Sequence, residues 1–159
     1  MRQQYVYKLA KNDWGSLPND RAHTLDSIGK LLTSIGLLRQ VMSIKDIMKA
    51  FIKVLSSQRA FVLISEDNKV SAWLVITFGY CGHYSIGPND SVIGPVNTEE
   101  HAQGKGLGTL LMQATLCYCF EKRANQAVFI DTAEDNWAMQ RVIQKCNFGE
   151  PISHYDRND

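Results

Sequence analysis

Gln103-Gly104-Lys105-Gly106-Leu107-Gly108-Thr109 stands between a β-branched run and a long apolar segment. Glycine at every second position lets the backbone come close to a ligand without interference from Cβ. These glycines precede a predicted helix, whose first amides have no intrahelical partner. Unpaired N–H groups and the positive end of the helix dipole together make an anion site, above all for phosphate. Lys105 adds a mobile cation beside it. The stretch predicts a pyrophosphate cradle built from the amides of Gly104 to Thr109, with the Thr109 hydroxyl as an extra donor. Spacing excludes two common nucleotide motifs. A Walker loop needs Gly-Lys followed at once by Ser or Thr, whereas Lys105 is followed by Gly106. A dinucleotide fingerprint wants glycine where Thr109 stands.

Outward from the loop, Ser91 to Asn97 reads as a strand entering it, and Gly106 to about Arg123 as a helix apolar on several faces. Ala127 to Asp131 is a short apolar strand, Asn136 to Cys146 a helix, and Ile152 to Tyr155 a short tail strand. Upstream, Arg59 to Ile64 and Val70 to Phe78 form a hairpin around Glu66-Asp67-Asn68-Lys69. Gly79 to Asp90 is irregular. Tyr5 to Leu9 reads as the first strand, and Asn12 to Asp20, with Gly15 and Pro18, as a loop. Leu25, Ile28, Leu31, Leu32 and Ile35 fall at helical spacing, with Gly36 stopping or bending that helix. Ser43 with Asp46 starts another, whose face of Ile44, Ile47, Met48, Phe51, Ile52 and Leu55 is expected to pack on the protein's own core rather than on a partner. The order βααβββαβαβ predicts a single α/β domain over residues 1–159, three-layered around a mixed central sheet.

Gln103, Gly106 and Gly108 match the pattern Gln/Arg-x-x-Gly-x-Gly/Ala, which resembles the acyl-CoA loop of the GNAT superfamily of N-acetyltransferases. Ile93-Gly94-Pro95-Val96-Asn97-Thr98 resembles that family's central strand. Asn136-Trp137-Ala138-Met139 through Cys146-Asn147-Phe148-Gly149 resembles its Asn-x-x-Ala…Gly-Phe segment, with Asn147 where Gly is usual. The likeness covers Ile93 to Gly149; residues 1–80 agree only in the order of elements. Two positions depart from the pattern: Glu100 stands where Pro is common, and Ile143 where many members carry a tyrosine thought to protonate the departing thiolate. Members often close with one further strand, which here is expected to be missing, short, or supplied by a partner subunit in a homodimer.

The resemblance implies acetyl-CoA as co-substrate and transfer of its acetyl group to a primary amine by direct attack in a ternary complex. Gln103 to Thr109 would hold the pyrophosphate, and the backbone of Val96, Asn97 and Thr98 would pair with the pantetheine arm like an added strand. An amide there would polarise the thioester carbonyl. Asn136, with Met139 in the same segment, would face the arm from the opposite wall; Asn136 equally suits a helix N-cap. For the amine proton the candidates are Asp90, on the acceptor-facing side of the strand by alternation, and His83 in the preceding connection. Asp90 also suits a simple turn. A rival within the same fold is an acyl-CoA-binding regulatory or sensor module without turnover, favoured by Ile143; an unrelated nucleotide-binding domain is the third reading.

Composition narrows the partners. The 159 residues are 45% hydrophobic, enough for one sizeable core. Seventeen basic against 16 acidic residues give a net charge of +1 without a basic stripe, which argues against nucleic acid as a partner. The expected acceptor is a small-molecule or peptide amine. Cys81, Cys117, Cys119 and Cys146 show no metal-ligand spacing, so no metal is expected. Neither a signal-like run nor a membrane-spanning stretch is evident, and a cytoplasmic location is the expectation.

Overall fold

Alternating β-branched and aromatic residues drive segments of this chain into strands. The computed structural model describes residues 2–15 and 21–157, and among these seven strands join in one sheet. They are β1 (Arg2–Ala10), β2 (His23–Leu25), β3 (Arg59–Glu66), β4 (Lys69–Phe78), β5 (Ser91–Thr98), β6 (Ala127–Ala133) and β7 (Ser153–Arg157). Helices α1 (Ile28–Thr33), α2 (Ile35–Val41) and α3 (Ile44–Leu55) precede β3. Helix α4 (Leu107–Cys117), prolonged by a π turn over Tyr118–Lys122, links β5 to β6, and α5 (Trp137–Lys145) links β6 to β7. The sheet order is β2-β3-β4-β5-β6-β1-β7. Strands β5 and β6 are parallel, as their helical crossover requires, and the other neighbours are antiparallel.

Three layers result, as expected. On one face Leu74, Ile93 and Ile130 pack against Leu111 and Phe120 of the α4 segment and Ile143 of α5. On the other, Phe61, Leu63 and Val75 meet Leu31, Leu38, Ile47 and Val54 of the first three helices. Farther along that second face, Val6, Ala127 and Phe129 lie under Tyr84 and Ile86 of the β4–β5 connection and under Tyr155. The hairpin turn holds Asp67 and Asn68 at φ 50° and 59°, the left-handed pair that two-residue β turns favour.

Several expectations need correcting. The short tail strand expected at Ile152–Tyr155 is β7, Ser153–Arg157, and no further strand follows it among the described residues. β1 lies between β6 and β7, with Gln4 opposite both Ala133 and Tyr155. Leu25 belongs to β2 rather than to a helix. Ser27 caps α1 by accepting from Lys30 N at 3.4 Å, so the helix begins only at Ile28. Gly36 lies inside α2; the break falls at Ser34, whose N–H is shared between Lys30 O and Leu31 O. Ser43 caps α3 as predicted, accepting from Asp46 N at 3.2 Å. The apolar stripe of α3, however, is wider than its contact with the sheet. Ile47, Ala50 and Val54 are buried, while Ile44, Met48, Ile52 and Leu55 form a neighbouring ridge in solvent. The loop read over Asn12–Asp20 opens with a 3-10 turn at Lys11–Asp13, and its later part, residues 16–20, lies outside the described residues, as do 1, 158 and 159. Among the described residues, no helix is long and apolar enough to cross a membrane.

Candidate active site

The site begins where two parallel strands part. β5 and β6 pair only from Ser91–Val128 to Ile93–Ile130. Beyond Ile93, strand β5 stays with β4 and strand β6 with β1, leaving an opening between them. One extra residue in β5 helps to make it: Ile93 faces Ile76 and Val96 faces Leu74, so Gly94-Pro95 bulges from the ladder. Proline has no N–H to restore pairing there.

Alternation then fixes which amides face the opening. Glu99 N–H donates to Ser71 O at 2.9 Å, marking a hydrogen-bonded pair. Two residues back, Asn97 opposite Trp73 is also turned to β4, so the main-chain groups of Val96 and Thr98 point away from β4. Gln103 Nε2 donates to Thr98 O at 3.3 Å and ties the loop to the strand.

The loop has the geometry that its glycines suggest. Gly104 and Gly106 both sit at φ +76°, in the left-handed region, and Gly106 caps α4. Among the described residues the amides of Gly104, Lys105, Gly106, Leu107 and Gly108 donate to no main-chain carbonyl. Thr109 differs from expectation: its N–H is spent on Gly106 O at 3.1 Å, leaving only its hydroxyl for a ligand. Leu107 turns its side chain into the core, and Lys105 is exposed. A Cβ at Gly108 would meet Thr98 Oγ1 and Val142 Cγ2 at 3.6 Å, an ordinary contact, so packing within the chain does not itself demand glycine there.

A cavity of about 670 Å³ occupies the opening. Val96, Asn136 and Met139 line it from the β5 and α5 sides. Asn136 is the N-cap of α5, its Oδ1 accepting from Met139 N at 3.2 Å, which leaves its NH2 without a partner among the described residues. His83 lines the cavity too, stacked on Tyr155 with ring centroids 5.1 Å apart. Tyr155 in turn donates from its hydroxyl to Asp131 Oδ2 at 2.9 Å. Burial first, then the bond to Asp131, pushes the Tyr155 phenol far above its usual range.

Asp90 is placed elsewhere. Its Oδ2 accepts from Gly87 N at 2.8 Å and its Oδ1 from Ala127 N at 3.1 Å, closing a turn and fastening it to β6. It does not line the cavity. Ile143 is 0% exposed, packed in the core. Asp131, with Arg2, Gln4, Arg59 and Arg157, adds polar groups to the cavity wall that the motifs do not mark. The signal for Asp131 was a carboxylate directly after Val128-Phe129-Ile130, at the point where a strand leaves the core.

A search of curated proteins returned no match. Solved structures do match. An acetyltransferase of the GNAT family from Novosphingobium aromaticivorans aligns with a TM-score of 0.64 at 11% identity, over 99% of this chain and 60% of its own. AAC(6')-Iy, solved with the bisubstrate analog CoA-S-monomethyl-acetylneamine, gives 0.64 at 13% identity, over 87% and 96%. A tandem GNAT protein from the clavulanic acid biosynthesis pathway gives 0.60 at 14%, over 100% and 55%. The chain thus spans little more than half of the first and third of these. At such identities the likeness is one of fold. The model of the acetyltransferase (GNAT) family matches residues 39–148, from α2 past α5 and through the parted strands and the glycine loop; this chain belongs to that family.

Proposed function

We propose that this protein transfers an acetyl group from acetyl-CoA to a primary amine, by direct attack while both substrates are bound. The observation that carries the reading is continuity. The main-chain groups of Val96 and Thr98 turn away from β4 toward the opening, where Val96 lines the cavity, and the unpaired amides of Gly104–Gly108 follow in the loop just outside it. The loop amides bind the pyrophosphate, with Gln103 holding the loop to β5 and Lys105 adding charge. Val96 and Thr98 accept the pantetheine arm as an added strand, Asn97 supports that edge from the β4 side, and the NH2 of Asn136 with Met139 closes the far wall. The Val96 N–H stabilises negative charge on the carbonyl oxygen as the amine adds. The amine nitrogen bonds to the acetyl carbon, the carbon–sulfur bond breaks, the sulfur leaves as thiol, and the amine gives up a proton. His83, at the cavity wall, is the group we assign to that proton, with Asp131 holding the ammonium beforehand. Asp90, with both oxygens on amides, keeps the turn.

The second reading, an acyl-CoA-binding sensor without turnover, is favoured by Ile143 in the buried position where many members have tyrosine. One experiment separates the two. Melting shifts with CoA and acetyl-CoA are expected in both cases, whereas free-thiol release across an amine panel is expected only of the enzyme. Within that assay, His83→Gln should remove an ionisation from the pH profile of turnover; an unchanged profile would take the proton role from His83. A shift with ATP or NAD and none with CoA would overturn both readings.

A further inference from the structure

The charges lining the same cavity bear on which amine enters it, and the inference rests on the acyl-transfer reading above. Three arginines line it, Arg2, Arg59 and Arg157, against one carboxylate, Asp131. Arg2 is committed to Asp135. Arg59 and Arg157 meet no carboxylate among the described residues. Arg157 stands directly opposite Arg2 across the β1–β7 ladder. Arg59 enters from the other flank, opposite Thr77 at the start of β3.

Gln4 supplies an independent observation. Its side chain is only 7% exposed, it lines the cavity, and its amide makes no hydrogen bond among the described residues. Its amide group keeps access to the cavity, so its NH2 can donate to an anionic group bound there. No residue of the 103–109 loop lines this cavity, so these cations lie away from the amides assigned to the pyrophosphate. We infer that the acceptor is an amine that also carries an anionic group, a carboxylate or a phosphate. Arg157 and Gln4 hold that group on one flank and Arg59 reaches it from the other, while Asp131 receives the ammonium end. The same field disfavours polycationic amines.

Matched acceptors test this by thiol release with acetyl-CoA: 4-aminobutyrate against butylamine, O-phosphoethanolamine against ethanolamine, and 1,4-diaminobutane as the dication. The anionic member of one pair or both should exceed its neutral partner in kcat/KM by about tenfold, as a charge-assisted bond would give. Which pair responds tells carboxylate from phosphate. Arg59→Gln and Arg157→Gln should each raise KM for the anionic acceptor more than they lower kcat, shrinking its preference over the neutral partner. Equal use of butylamine and 4-aminobutyrate, or a preference for diaminobutane, overturns the inference and leaves acyl transfer standing. Should no amine release thiol, the transfer reading fails, and melting shifts by 4-aminobutyrate and O-phosphoethanolamine in the presence of CoA decide the anion site. A shift lost in Arg157→Gln supports it, and no shift overturns it.

Discussion

Gly106 sits at φ +76° with open space around its Cα, so a substitution there acts through backbone strain and not through a clash. A residue with Cβ in that region costs about 1–2 kcal/mol, and a β-branched one would also crowd the approach of a ligand to the amides. Gly106→Val is expected to lower the melting temperature modestly and to abolish the CoA-induced shift; full CoA affinity in this variant would refute the cradle. Ile143 makes the opposite case. Fully buried against the α4 core, it should cost about 2–5 kcal/mol as Ile143→Ala, read by urea unfolding. Turnover per folded molecule should survive, since its side chain cannot give up a proton. The glycine loop is legible in sequence because its residues are contiguous and each acts through its own backbone. Asp131 and Tyr155 are not, since their meaning comes from a pairing between β6 and β7 with another strand in between.

Among elements, α5 shows how one residue serves both fold and ligand. Asn136 Oδ1 caps the helix while its NH2 stays free at the cavity. Asn136→Ala should cost about 1 kcal/mol of stability as a lost cap. Asn136→Asp keeps an oxygen for the cap and removes the donor, so it should hold stability yet weaken CoA binding; equal CoA affinity in this variant would leave Asn136 as a cap alone. At the other end of α5, Asn147 adopts φ 62°, a conformation that Asn tolerates second only to Gly, which explains how the helix ends without the usual glycine. Caps, hairpin and helix existence are local facts and read well from sequence. The start of α1 is not, because Leu25 and Ile28 fit helical spacing while only pairing with β3 reveals that Leu25 is in a strand. Nor does periodicity tell how much of the α3 stripe the sheet can cover.

For the whole molecule, buried acids set the alkaline limit. Burial pushes the Cys146 thiol from 9.0 up to about 11 and the Cys119 thiol up to about 12. The tyrosines Tyr84, Tyr118 and Tyr155 are raised by burial as well. Each group keeps its proton longer in the folded state than in the unfolded one. Stability from the two thiols is therefore complete below pH 9 and declines from there toward pH 11 and beyond, by about 1.4 kcal/mol per pH unit for each group that has ionised only when unfolded. Urea midpoints at pH 8, 9 and 10 should fall in that order, and a level series would show that these side chains are not sealed in the core. The three-layer plan follows from the order of elements, so it can be read in advance. The position of β1 cannot, because a strand's neighbours are chosen by the whole sheet.

That position has a consequence for biosynthesis. β1 is made early, but the two strands that flank it, β6 and β7, are translated last. At roughly 5–20 residues per second, a ribosome leaves Arg2–Ala10 waiting on the order of ten seconds for its first partner. During that interval both edges of a nine-residue segment containing Val6, Tyr7 and Leu9 are open to other chains. β1 thus stays open on both edges until β6 and β7 have emerged, whereas the β3–β4 hairpin can close on itself as soon as it is made.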